Sequence, residues 1–176
     1  MLIRDATHDD VPAISRVHVD TWRTTYRGIM PDEHLAKLSY ERRERGWYAV
    51  LEKAAEDGNF TYVAQNESGD IVGFANGGKE RTGDPVFRGE LTGIYIRQAY
   101  QGQGLGRQLV QMIAERLSQS GLDSMLIWVL VDNPACGFYA ALGGDRVREQ
   151  ELQIGGKSLI EVAYGWLDTR KLRPIS

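Results

Sequence analysis

The sequence predicts a mixed α/β fold, and three observations predict it. Short apolar runs of strand length alternate with stretches whose apolar residues recur every three to four positions. Glycine and proline mark most of the joins between them. The chain has 176 residues, 42% hydrophobic and 26% charged, the proportions of a globular protein long enough to bury a core without staples. At that length, with no internal repeat or low-complexity linker, residues 1–176 are expected to form one domain.

Taken in order, Leu2-Ile3-Arg4 reads as an opening strand. Thr7 is placed to cap a helix, with Asp9 and Asp10 in its first turn, where the helix dipole favours negative charge. Val11, Ile14, His18, Trp22 and Tyr26 share one face of that helix, which ends near Gly28, since Pro31 forbids uninterrupted continuation. A second helical region follows Asp32 through Leu35, Leu38, Trp47 and Leu51, with a break expected near Gly46. Phe60–Ala64 and Ile71–Ala75 read as a hairpin around the turn at Asn66–Asp70. Gly77-Gly78 through Pro85 reads as a loop, and Glu90–Ile96 as a central strand. Leu105, Leu109, Ile113 and Leu117 give one helix stripe that Gly121 ends. Ser124–Val131 is apolar on both parities, as in a strand buried on both faces. Asp132-Asn133-Pro134 then turns into a short helix, and two last strands meet at Gly155-Gly156.

Charge excludes some partners. With 21 Lys+Arg against 24 Asp+Glu the net charge is −3, which gives no global attraction for nucleic acid or an anionic membrane. Neither partner is expected. Cys136 is the single cysteine, so no intrachain disulfide and no cysteine cage for a metal can form. His8 and His34 lack metal-ligand spacing, and no metal is expected. Arg4 and Asp5 interrupt the N-terminal apolar stretch, and no run approaches the roughly 20 residues of a membrane span, so the expected location is cytoplasmic.

The most informative stretch is Gln101-Gly102-Gln103-Gly104-Leu105-Gly106-Arg107, between a predicted strand and a predicted helix. Alternate glycines permit positive φ and close approach of a ligand to the main chain. The first amides of the helix lack internal partners and carry the positive end of its dipole, so the turn is an anion seat suited to a phosphate or diphosphate. Arg107 adds a charge at its rim. Tight strand-to-helix turns also use glycine for geometry alone. A dinucleotide fold would need G-x-G-x-x-G in its first strand–helix unit, and a P-loop would need glycine where Glu151 stands before Gly156-Lys157-Ser158. Neither fits.

Gln101-x-x-Gly104-x-Gly106 resembles the Q/R-x-x-G-x-G/A signature of the GNAT superfamily of acyl-CoA-dependent N-acetyltransferases. Asn133-Pro134-Ala135-Cys136-Gly137-Phe138-Tyr139, with Gly143-Gly144, is similar to the family's N-x-x-A-x-x-F-Y-x-x-x-G-F element. It departs at Cys136, where Ala is usual, and at Gly144, where Phe is usual. The order of elements resembles the family over nearly the whole chain. The resemblance implies a mostly antiparallel central sheet of six to seven strands, about four flanking helices and splayed central strands.

It also implies a chemistry. Ile94, Tyr95 and Ile96 pair through their backbone with the pantetheine of acetyl-CoA, and an amide there stabilises negative charge on the thioester oxygen. The turn formed by Gln101, Gly102, Gln103, Gly104, Leu105, Gly106 and Arg107 holds the diphosphate, and Asn133 bonds the pantetheine or a bridging water. Tyr139 protonates the departing thiolate, since an ordinary phenol is protonated at pH 7. An alkylammonium acceptor must first lose a proton; Glu90 is the candidate base, directly or through water, with a solvated strand-end carboxylate as the plainer reading. Trp22 and Tyr26 are expected to wall the acceptor pocket and Glu90 to border it, although for either aromatic taken singly core packing is the stronger reading.

Glu41-Arg42-Arg43-Glu44-Arg45 reads as a solvated helix face. The expectation is direct acetyl transfer to a primary amine of a small molecule. Two alternatives are a protein or peptide N-acetyltransferase and a non-catalytic acyl-CoA-binding module. The acceptor stays open among polyamine, amino acid, aminoglycoside-like drug and peptide, and a homodimer through the last strands stays open as well.

Overall fold

The computed structural model describes residues 1–172. Its strands are β1 (Leu2–Asp5), β2 (Phe60–Gln65), β3 (Ile71–Lys79), β4 (Gly89–Ile96), β5 (Met125–Leu130), β6 (Asp145–Ile154) and β7 (Lys157–Trp166). They form one sheet in the order β1-β2-β3-β4-β5-β7-β6. Only β4 and β5 run parallel; the other neighbours are antiparallel. The expected mixed, mostly antiparallel sheet is what forms.

The helices are α1 (Val11–Thr25), α2 (Asp32–Ala36), α3 (Tyr40–Glu52), α4 (Ala54–Asp57), α5 (Leu105–Gln119) and α6 (Ala135–Ala141). Strand alternation decides which helix meets which face. Tyr62 and Ala64 point to one side with Leu91 and Ile127, where Leu109, Ile113 and Leu117 of α5 cover them. Val63 and Phe74 point to the other, under Val11, Ile14 and Val17 of α1 and Trp47 of α3. Tyr26, Met30, Leu35, Leu130 and Leu159 form a third cluster that fastens the end of α1 to the far half of the sheet. No helix among the described residues is long and apolar enough to cross a membrane.

Two boundaries differ from the sequence reading. Gly77 and Gly78 lie within β3 rather than in a loop. A Cβ on Gly77 would stand 2.8 Å from Cγ2 of Ile113, and one on Gly78 would stand 2.2 Å from Oδ1 of Asn59. These glycines serve close packing, not a turn. The second helical region breaks at Ser39, not Gly46, because the Ser39 hydroxyl accepts the Arg42 amide (3.1 Å) and starts a new helix. Gly46 continues through the middle of α3.

The feature that positions the site is the short contact between β4 and β5. They pair only at Gly89–Met125 and Glu90–Leu126, then diverge. A register shift between Asn76 and Gly77 on β3 leaves Thr92 as an extra residue of β4, and a bulge of this kind bends the strand.

Candidate active site

Where β4 and β5 part, a cleft of about 520 Å³ opens. Ile94, Tyr95 and Ile96 line one wall, Ile127, Trp128 and Val129 the other. The Arg97 amide donates to the Val72 carbonyl on β3 (2.9 Å). Alternation along the strand therefore turns the amides of Ile94 and Ile96 the opposite way, toward β5, where no strand pairs them. The Ile96 carbonyl on that side is held by the Gln101 side-chain amide at 2.8 Å.

The glycine turn sits at the mouth of this cleft. Gly102 and Gly104 have φ of 72° and 81°, left-handed conformations that glycine adopts without strain. Gly104 leads directly into α5. A Cβ at Gly106 would lie 3.2 Å from Cζ of Phe138 and 3.4 Å from Cδ1 of Ile96, so α6 and β4 close tightly on the start of α5. Gln101, Gly102, Gly104, Gly106 and Arg107 all line the cleft. Gln103 does not; its side chain donates to the Ala99 carbonyl (2.9 Å) and braces the turn. Leu105 is core, 3% exposed.

At the inner end lie Asn133 and Tyr139. The Asn133 carbonyl oxygen receives the Ala135 amide (2.9 Å), and its Nδ2 donates to the Tyr26 hydroxyl (3.3 Å). Tyr139 is 4% exposed, yet its hydroxyl has no protein hydrogen-bond partner among the described residues. Burial holds its pKa far above that of a free phenol, with Tyr95 and Tyr26 adding to the effect. It stays neutral and keeps its proton. Burial likewise raises the Cys136 thiol, whose Sγ leans on the Leu130 carbonyl (3.5 Å) outside the cleft lining. A thiol so protonated is a poor nucleophile.

Other sequence candidates fall elsewhere. Glu90 is 2% exposed and does not line the cleft. Arg81 grips both its oxygens, Nη2 to Oε1 at 2.6 Å and Nε to Oε2 at 2.9 Å. The loop carrying Arg81 is itself fixed: the Glu80 carboxylate receives the amides of Thr82 (2.9 Å) and Asp84 (2.7 Å), and Arg148 of β6 holds Asp84. Tyr26 lines the cleft, while Trp22 stands one ring behind it, with centroids 5.1 Å apart. No carboxylate or imidazole among the described residues lines the cleft.

Sequence reasoning missed Thr21, Thr25, Thr92 and Trp128, all cleft-lining. Trp128 was unreadable because β5 is apolar on both faces. Thr21 and Thr25 stand one position to the side of the predicted α1 stripe, and a wider stripe would have included them.

Residues 19–143 match the acetyltransferase (GNAT) family. An uncharacterized N-acetyltransferase of Bacillus subtilis strain 168, YuaI, is 39% identical over 98% of this chain and 96% of its own length. An L-methionine sulfoximine/L-methionine sulfone acetyltransferase of Pseudomonas aeruginosa PAO1 is 30% identical over 94% of this chain and 89% of its own. The fold is similar to that of a phosphinothricin acetyltransferase from Sinorhizobium meliloti solved with acetyl-CoA, with TM-score 0.74 and 19% identity, covering 94% of this chain and 86% of that one.

Proposed function

The chain belongs to the acetyltransferase (GNAT) family and is an acyltransferase, and from that premise we propose that it moves an acetyl group from acetyl-CoA directly to a primary amine of a small molecule. The observation that carries this reading is the opening between β4 and β5, with an anion seat at its mouth and an unpartnered tyrosine hydroxyl at its inner end.

Acetyl-CoA supplies an acetyl group activated as a thioester. The residues fit it in three respects. The amides of the turn at Gly102–Gly106 and the dipole of α5 suit a diphosphate. The unpaired amides of Ile94 and Ile96 offer strand-like hydrogen bonds to an extended amide-bearing arm, and one of them can stabilise charge on an acyl oxygen. Tyr139, which lines the cleft, holds a proton on its hydroxyl and can donate it to a leaving sulfur. Asn133 fixes the end of α1 through Tyr26 and so sets the width of the cleft at that point. With no carboxylate on the lining, the proton lost by the amine leaves through water in the cleft.

The small-molecule acceptor is supported by the Pseudomonas relative, whose name gives an amino-acid derivative as its substrate. The test is a screen of amines with acetyl-CoA, read by released thiol. Release that saturates with a small amine is the expected result. Release only with peptides, or with no amine at all, would contradict the reading.

A further inference from the structure

Alternation along β4 breaks once. Leu91 packs with the cluster on the α5 side, and so do Ile94 and Ile96, whereas Tyr95 packs on the α1 side with Val63 and Phe74. Leu91 and Ile94 stand three positions apart, and a strict period of two would put them on opposite faces. Thr92 reverses the parity: Leu91 is opposite Gly77 and Gly93 is opposite Asn76, with Thr92 extra between them. The amides of Ile94 and Ile96 lie beyond that point. Without the extra residue they would turn toward β3, and the Tyr95 amide would turn into the cleft instead.

The bulge is tied by side chains. The Thr92 hydroxyl donates to Oδ1 of Asn76 and lies 3.0 Å from the backbone carbonyl oxygen of the same residue. Nδ2 of Asn76 donates in turn to Oγ1 of Thr61 (2.7 Å) and to the Phe60 carbonyl (3.2 Å), both on β2. Thr61 and Asn76 are 4% and 8% exposed, so these bonds are made away from water. Asparagine is depleted in strands, yet here it sits within β3 with its amide oxygen and both its N–H groups engaged. A buried polar network that is satisfied throughout rigidifies its surroundings and specifies one arrangement. Asn76 does not line the cleft, whereas Thr92 does. The network thus runs from β2 through β3 to the cleft wall, and its last member is the bulged residue itself.

We propose that Asn76 and Thr92 are positioning residues: the bond between their side chains fixes the bulge of β4 at residue 92 and so keeps the Ile94 and Ile96 amides turned to the cleft, where they meet the acyl-CoA. The inference rests on the acetyl-transfer reading and adds to it the residues that aim those amides. A bulge not tied at this point can migrate along β4, and each residue it passes turns its amide from one side of the strand to the other.

The test uses Thr92→Val, which removes the hydroxyl at nearly constant volume, Thr92→Ser, which keeps it, Asn76→Ala, and the double variant Asn76→Ala/Thr92→Val. Thr92→Val is expected to lower kcat/KM for acetyl-CoA about tenfold, because the amides are no longer held in place. Thr92→Ser is expected to restore most of that loss. Asn76→Ala, although outside the cleft, should fall as far as Thr92→Val, and the double variant no further, since both residues act through one bond. Losses that multiply in the double variant, or an undiminished kcat/KM in Thr92→Val, overturn the proposal. Thr92→Val and Thr92→Ser decide the matter by themselves if Asn76→Ala does not fold. Amide hydrogen exchange followed by NMR reads the tie without turnover. The Tyr95 amide, which pairs with β3 opposite Phe74, is expected to exchange about tenfold faster in Thr92→Val, while the α5 amides keep their rates. Unchanged exchange at Tyr95 overturns the tie even where activity falls. Faster exchange there, in a protein that releases no thiol with any amine, leaves the tie standing and removes acetyl transfer.

Discussion

The side chain of Asn133 donates to the hydroxyl of Tyr26 at 3.3 Å, joining the turn after β5 to the end of α1 across 107 positions of sequence. Asn133 is 7% exposed and its Oδ1 also receives the Ala135 amide, so it holds the first residue of α6 with one end and α1 with the other. Removing it leaves the Ala135 amide and the Tyr26 hydroxyl without partners. Asn133→Ala is therefore expected to cost about 2 kcal/mol in urea denaturation, and Tyr26→Phe about 1 kcal/mol, since it leaves one group, the Asn133 Nδ2, without its partner rather than two. Equal losses in the two variants would show that the bond does not carry this asymmetry.

Tyr139→Phe separates chemistry from binding. The hydroxyl has no protein partner among the described residues, so its loss should leave stability and CoA affinity nearly unchanged. Loss of a proton donor is expected to lower kcat about 100-fold. Thiol-release kinetics beside calorimetric CoA titration measure both; a large fall in affinity with unchanged turnover would contradict the role.

His18 gives a pH signature. Burial, with the Arg43 charge adding to it, pulls its pKa down from 6.5 to about 3. The native state thus refuses a proton that the unfolded state binds between about pH 3 and 6.5, so stability rises with pH across that window. Between pH 5 and 6.5 the gain is about 1.5 kcal/mol. Denaturant melts of wild type and His18→Gln should show this increment in the first and not in the second. An identical pH dependence in both would remove His18 as its source.

Glu90→Gln tests the base. A carboxylate closed by Arg81 and lying outside the cleft lining is expected not to take the proton of the acceptor. The variant should keep turnover within about threefold and retain the acidic limb of the kcat/KM profile, while melting earlier through its weakened hold on Arg81. Loss of that limb would make Glu90 the base after all.

Much of this was legible in the sequence, for identifiable reasons. The α5 stripe, the alternation of β7 and the Gln101–Arg107 turn are local patterns, and local patterns survive folding. Asn133 and Tyr139, singled out only through the resemblance of the Asn133–Tyr139 stretch to the family element, both line the cleft. What escaped depends on partners distant in sequence. Gly77 and Gly78 looked like loop residues because nothing nearby announces that Ile113 and Asn59 press on them. Glu90 looked free because Arg81 reaches it from a loop whose course is set by Glu80 and Arg148. Arg43 looked solvated among four other charges, and only the crossing of α3 over α1 turns it onto Trp22.

The most direct measurement is a crystal structure of the protein with acetyl-CoA. Diphosphate oxygens on the amides of residues 102–107, pantetheine between β4 and β5, and sulfur within hydrogen-bonding reach of the Tyr139 hydroxyl are the predicted result. A coenzyme bound away from the glycine turn, or a Tyr139 hydroxyl directed away from the sulfur, would contradict the account.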